Sequence, residues 1–224
     1  MNFIQPNWPA PRHIKAYTTV RSAWSARTEG EPLKTLLNLP EEPIWLKQTH
    51  SAIALPATPE NLDKNGDASF TSATNRVCIA LTADCLPVLI TNRQGTAVAA
   101  IHAGWRGLSA GVIEETLHAM HLPEEDVLIW LGPAIGPQKF EVGKDVYDAF
   151  ISRHEESASA FMPHAEGKWL ANLYELARIR LRLRGITQIY GGDFCTYSQP
   201  DLFFSFRRDK GKQGNMANLI WIEG

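Results

Sequence analysis

Residues 82–107 read T-A-D-C-L-P-V-L-I-T-N-R-Q-G-T-A-V-A-A-I-H-A-G-W-R-G. Two apolar runs of strand length, 86–91 and 96–101, flank Asn92-Arg93-Gln94-Gly95, which reads as a hairpin connection. In a hairpin, the start of one strand lies beside the end of the other. Cys85, just before the first run, and His102, just after the second, are therefore expected to converge. A third candidate, His50, closes an earlier apolar run at 44–49. His50, Cys85 and His102 together make an open zinc site, with three protein ligands and a fourth position free for water or substrate.

Outward from this hairpin the pattern is strand-rich. Towards the N-terminus, Pro6, Pro9 and Pro11 argue against a helix, and 14–21 suits a short strand. Residues 22–35 read as loop. Strands are expected at 44–49, 52–55, 68–70 and 77–82. Towards the C-terminus, Gly104-Trp105-Arg106-Gly107 feeds a helix whose Val112, Ile113, Thr116, Leu117 and Met120 follow helical spacing. A strand at 126–131 stops at the rigid loop Gly132-Pro133-Ala134-Ile135-Gly136-Pro137. A short helix follows at 144–152 and a longer one at 169–184, with Gly185 as its stop. The four arginines of that helix, Arg178, Arg180, Arg182 and Arg184, are expected to coat its exposed side. Strands at 186–190, 202–206 and 217–222 complete the chain. Strands in hairpin-like groups with few helices predict an α+β fold, mixed β-sheets packed with flanking helices, as one domain over 1–224.

Composition sets the class. The chain has 224 residues, 44% hydrophobic and 21% charged, with a net charge of -2. That balance gives no electrostatic reason to expect nucleic-acid binding. No apolar stretch approaches the ~20 residues that span a bilayer, so no membrane partner is expected. The N-terminus lacks the basic-then-apolar pattern of a signal peptide. Three scattered cysteines do not make a disulfide framework. A cytoplasmic protein with reduced thiols is the expectation.

Cys85 has three readings: an ordinary buried thiol, a nucleophile activated by a neighbouring histidine, or a zinc ligand. The last two both call on His50 and His102. The absence of a C-x-x-C pair argues against a closed structural zinc site. Arg106 sits at a helix start just after His102, where a bidentate anion clamp for phosphate or carboxylate is favoured over a plain surface arginine. Arg207-Arg208-Asp209 is either a second anion contact or a charged loop. Asp84 and Asp193 are candidate orienting carboxylates.

Several ordered motifs carry a resemblance. They are Trp45-Leu46-Lys47-Gln48-Thr49-His50, Thr82-Ala83-Asp84-Cys85-Leu86-Pro87-Val88, His102-Ala103-Gly104-Trp105-Arg106-Gly107, Phe140-Glu141-Val142-Gly143, Gly191-Gly192-Asp193-Phe194-Cys195-Thr196-Tyr197 and Phe203-Phe204-Ser205-Phe206-Arg207-Arg208-Asp209. In this order they resemble the YfiH family of bacterial proteins, variously labelled laccase-like polyphenol oxidase, purine nucleoside phosphorylase and peptidoglycan editing factor. The resemblance implies a fold distantly like toxin deamidases with a Cys-His site, and zinc on His50, Cys85 and His102. It further implies phosphorolysis of adenosine, inosine, guanosine or methylthioadenosine, with adenosine deamination as a second activity. Purine nucleoside and phosphate would then be the small-molecule substrates, with Arg106 and Arg21 on the phosphate. A cell-wall precursor hydrolase using Cys85 is the alternative. A copper-dependent polyphenol oxidase is a further one, disfavoured because multicopper sites need more clustered histidines. The family's R-x-G-G-x-S segment is altered here: Arg21 is kept, both glycines are absent, and the loop after it is short.

Overall fold

The computed structural model describes residues 3–24, 32–212 and 214–224. Thirteen strands and six α-helices are found among them, arranged as sheet on sheet with helices outside. The six-stranded sheet is the centre. Its strands are β3 (Ala54–Pro56), β4 (Ala68–Thr71), β6 (Leu86–Asn92), β7 (Val98–Ala103), β8 (Val127–Leu131) and β12 (Ile189–Gly191), in the order β12-β8-β6-β7-β4-β3. A four-stranded sheet packs on one face: β1 (Phe3–Ile4), β2 (Ile14–Thr19), β13 (Met216–Ile222) and β5 (Cys78–Thr82), in that spatial order. A small three-stranded sheet of β9 (Glu141–Gly143), β10 (Phe161–Ala165) and β11 (Lys168–Ala171) adds Val142, Phe161 and Ala171 to the main core. The helices are α1 (Leu33–Leu37), α2 (Trp105–Ala110), α3 (Val112–Met120), α4 (Lys144–Ile151), α5 (Leu173–Leu183) and α6 (Phe206–Asp209).

Every residue of β6 is buried, because both faces of this central strand are covered. Its alternate residues serve two cores. Leu86, Val88 and Ile90 join Ile101, Ile129 and Leu131 beneath α3 and α5. Leu89, with Val98, Ala100 and Trp130, meets Ile14, Cys78, Ala80 and Ile220 of the four-stranded sheet. Each such Leu, Ile or Val contributes about 1.5–3 kcal/mol of burial, and truncating Ile90 to alanine costs about 2–5 kcal/mol.

The expected hairpin forms, with Leu86 opposite Ala103 and Pro87 opposite His102. Its turn is longer than expected. The Asn92 side chain accepts from the Thr96 and Ala97 amides, so β7 begins only at Val98. The α+β expectation holds, with mixed and antiparallel sheets and few helices.

Other expectations are corrected. Residues 44–49 form no strand beyond an isolated bridge from Lys47 to Asn65. The Gln48 side chain instead takes the place of a ladder, donating to the Leu81 carbonyl (2.8 Å) and accepting from the Leu81 amide (2.7 Å). The helix expected from 169 begins at Leu173, because Lys168–Ala171 pairs as β11 and Asn172 caps the helix by accepting from the Glu175 amide. Residues 202–206 are not a strand but the approach to α6, capped by Ser205. Arg180 does not coat a surface: it is 5% exposed and paired with Glu114 of α3. Arginines two apart on a 3.6-residue helix spread around it rather than sharing a side. Of the expected 22–35 loop, 25–31 lie outside the described residues, and Leu33–Leu37 is helical. No described helix is long and apolar enough to cross a membrane.

Candidate metal centre

Three segments deliver the predicted donors to one point. His102 is the penultimate residue of β7, on the face it shares with Val98 and Ala100. Cys85 immediately precedes β6. His50 follows the segment that Gln48 pins to Leu81, in a left-handed conformation with φ 61°. The ligand atoms of His50, Cys85 and His102 lie within 4.8 Å of one another. His50 Nε2 stands 3.9 Å from Cys85 Sγ, and the two imidazoles meet edge to face at 4.7 Å. Zn–S and Zn–N bonds of about 2.3 and 2.0 Å at tetrahedral angles put S and N about 3.5 Å apart. The donor set thus fits a tetrahedral ion with one position left open.

Gly104 makes the approach possible. A Cβ there would lie 2.9 Å from both Cys85 Sγ and His50 Cδ2, closer than real Cβ atoms come to other heavy atoms. Any side chain at 104 would push two donors apart.

Asp67 organises the centre, and the sequence reading missed it. Its buried carboxylate accepts from His102 Nδ1 (2.8 Å), the His50 amide (2.9 Å), the Ser51 amide (2.7 Å), Ser51 Oγ (2.6 Å) and the Thr49 amide (3.1 Å). One carboxylate therefore fixes both histidine segments. With Nδ1–H donated to Asp67, His102 presents Nε2 towards Cys85, the tautomer a metal ligand needs. Burial alone would raise the Asp67 pKa; the hydrogen bonds from His102 and Ser51 outweigh it and hold the carboxyl well below the usual range. The signal available in the sequence was an acid directly before the apolar strand Ala68–Thr71.

Burial likewise opposes the His102 cation, but bonds to Asp67 and Cys85 raise its pKa to about 9. Cys85 moves the other way. Burial pushes the thiol up, yet hydrogen bonds to His102 and His50 and their charges bring it to about 7. The metal-free centre therefore favours a thiolate beside an imidazolium.

Asp84 is bound up in the walls. At φ 86° it is a non-glycine residue in left-handed backbone, a costly conformation held by its surroundings. Its carboxylate accepts from Thr196 Oγ1 (2.6 Å), Ser205 Oγ (3.0 Å) and the Arg207 amide (2.7 Å). It thus ties the residue next to Cys85 to the start of α6. The orienting role expected of Asp84 has a concrete target, while Asp193 lines a separate hollow with Cys195.

The trio opens into a cleft of about 510 Å³, within the size range of small-molecule sites. Arg106 lines it and lies over the Trp105 ring at 4.3 Å. Among the described residues its guanidinium has no polar partner. Arg207 lines the cleft too and donates to the Glu141 carbonyl (3.1 Å). Arg208 is spent on the carbonyls of Thr196, Tyr197 and Phe203. Arg21 is not among the lining residues: it stands 3.9 Å from Asp209 and over the Phe204 ring.

Comparison with known proteins agrees with this architecture. The profile of the family described as multi-copper polyphenol oxidoreductase laccase matches residues 26–223. A Haemophilus influenzae protein named purine nucleoside phosphorylase is 44% identical over 247 aligned residues, covering 100% of both chains. The Escherichia coli purine nucleoside phosphorylase YfiH is 44% identical, covering 98% of each chain. The crystal structure of a Neisseria meningitidis protein, 40% identical, superposes with a TM-score of 0.92 over 100% of both chains. With matches of this extent along its length, the chain belongs to the YfiH family of laccase-like proteins.

Proposed function

We propose that the chain is a zinc-dependent purine nucleoside phosphorylase, acting on adenosine, inosine, guanosine or methylthioadenosine. The names of its full-length relatives support an enzyme of this kind. The observation that carries the reading is the cleft itself, where an open His50-Cys85-His102 set and the unpaired guanidinium of Arg106 face the same space. Phosphorolysis requires an anion held against a nucleoside. A phosphate oxygen bonds to C1′ of the ribose, the C1′–N9 bond breaks, and the base leaves with the proton that phosphate gives up.

When bound, zinc supplies Lewis acidity at the base of the cleft. Arg106 holds the phosphate, with the Trp105 ring fixing its plane. Asp67 keeps His102 in the ligating tautomer and sets the His50 backbone. Arg21 serves at one remove, pairing with Asp209 beside the wall that Arg208 braces. The free fourth position also suits adenosine deamination as a second activity, read out as ammonia release.

A second reading rests on a specific feature: Asp67, His102 and Cys85 are connected as an orienting acid, a base and a low-pKa thiol. In that case Cys85 is a thiolate nucleophile acting on a cell-wall precursor. A copper polyphenol oxidase has less support, because among the described residues this trio is the one His/Cys/Asp/Glu group that could hold a metal.

The deciding experiment measures metal content and phosphate-dependent base release from adenosine, for the wild type and Cys85→Ala. Near-stoichiometric zinc and base release, both lost in Cys85→Ala, is the expected result. Zinc-free protein whose Cys85 alkylates rapidly would transfer the assignment to the thiolate reading.

A further inference from the structure

The cleft has a polar wall that the metal and phosphate roles leave unused. Its polar side chains divide by whether they are already committed. Gln48 is spent on both backbone groups of Leu81. Asp84 is spent on Thr196, Ser205 and the Arg207 amide. Arg207 is spent on the Glu141 carbonyl and the Phe140 ring. Asn215 is different. Its half-buried carboxamide lines the cleft with no hydrogen-bond partner among the described residues. Met216 pairs with Thr82, so Asn215 lies one residue beyond that ladder, alongside Ala83 of the same cleft.

Phe206 is the second uncommitted group. It lines the cleft while 65% exposed, the most exposed large apolar side chain among the described residues. Nothing in the core requires an aromatic ring there. Its position is nevertheless defined: Ser205 and Arg207 on either side are both held by Asp84. Gly211, at φ +68°, leaves room for the ring, since a Cβ there would lie 2.8 Å from Phe206 Cε2. An exposed aromatic ring and a free carboxamide lining one cleft are the chemistry that binds a purine: one stacks on the ring, the other pairs with its edge.

We infer that Asn215 and Phe206 form the base-reading wall of the cleft, Phe206 stacking on the purine and Asn215 pairing with its edge. This rests on the nucleoside reading above and deepens it to the choice of base. A carboxamide both donates and accepts. It can accept from the N6 amino group of adenosine while donating to N7, and it can donate to O6 or N7 of inosine and guanosine. Asn215 is therefore the reason one cleft takes both 6-amino and 6-oxo purines.

The test uses zinc-loaded wild type, Asn215→Asp, Asn215→Ala and Phe206→Ala, with equilibrium binding and kcat/KM measured for adenosine and inosine. Zinc content and melting temperature are checked in each. Asn215→Asp keeps an acceptor for the adenosine N6 amino group but loses the donor that 6-oxo purines need. The adenosine-to-inosine kcat/KM ratio is expected to rise at least tenfold. Asn215→Ala lowers both substrates together, and it is the informative variant if the aspartate destabilises the strand. Phe206→Ala weakens binding of both about tenfold with the ratio unchanged. An unaltered ratio in Asn215→Asp and unaltered affinity in Phe206→Ala, with wild-type turnover intact, overturn this inference alone. A wild type that neither binds nor turns over any nucleoside overturns both this inference and the function beneath it.

Discussion

Replacing Asp67 by Asn keeps the shape of the side chain and changes what it can accept. In the native structure Oδ2 receives Thr49 and Ser51, and Oδ1 receives the His50 amide and His102 Nδ1–H. An asparagine placed best puts its oxygen at the Oδ2 position, which serves more donors. Its NH2 then faces the His50 N–H and His102 Nδ1. Two consequences follow. The His50 amide loses its acceptor, and His102 must accept at Nδ1, which moves its proton to Nε2, the atom a metal requires. Two charge-assisted hydrogen bonds are lost in a site where Asp67 has no exposed side-chain surface. At about 1.5–3 kcal/mol each, partly offset by the retained contacts, Asp67→Asn costs about 3 kcal/mol of stability.

Zinc affinity should fall about 10–100-fold, the usual scale for an orienting partner behind a ligand histidine. Ser51→Ala is the control: it removes one donor to Oδ2, costs about 1 kcal/mol, and leaves zinc affinity unchanged. Chelator competition at pH 7 and urea denaturation measure the two quantities. The pH dependence of the metal-free protein adds a third readout. Because the folded Asp67 pKa is depressed, its contribution is present above about pH 4 and lost as pH falls towards the folded value. His102 is raised to about 9, so its contribution is full below about pH 6.5 and lost as pH rises through 9. In Asp67→Asn both limbs flatten. Zinc affinity within threefold of wild type, with tautomer-sensitive nitrogen shifts of His102 unchanged, would refute the account of Asp67.

Three further outcomes are expected. In metal-free protein the alkylation rate of Cys85 rises through a midpoint near pH 7, whereas Cys78, whose burial pushes its thiol up to about 12, stays unmodified until unfolding; mass spectrometry of trapped peptides distinguishes them. Gly104→Ala brings a methyl within 2.9 Å of two donors and should abolish stoichiometric zinc while the circular dichroism spectrum stays native. Arg180→Met leaves the Glu114 carboxylate without its partner between α3 and α5 and is expected to cost about 3–5 kcal/mol in denaturant titration, with zinc content unaffected.

The hairpin and the convergence of Cys85 and His102 were readable because two continuous apolar runs joined by a short polar connection pair locally. The fold class was readable for the same reason, since most strands announce themselves as apolar runs. What escaped was decided by side chains acting on distant backbone. Residues 44–49 have a strand's composition, but Gln48 binds Leu81 and forestalls pairing. Residues 202–206 look like an aromatic strand, but Ser205 caps a helix. Arg180 looks like one of four equivalent arginines until α3 presents Glu114 to it. Asp67 gave no spacing signal, because it acquires its role from Thr49, His50, Ser51 and His102 on two other segments of the chain.

The way Asp84 and Asp67 gather remote segments has a consequence for how the protein reaches its native state. Asp84 holds residues 112 and 121 positions away, and His50 and Cys85 are themselves 35 apart. The donors and Asp67 all lie within residues 50–102, but the Asp84 tethers reach Thr196, Ser205 and Arg207, so no fragment shorter than most of the chain contains the centre together with its walls. Contacts of such long sequence separation form late, after the chain has met the entropy of closing large loops. Tight metal capture during refolding should therefore lag behind the appearance of secondary structure and coincide with the final phase. A zinc-sensitive dye in the refolding mixture would then serve as a clock for completion of the whole molecule.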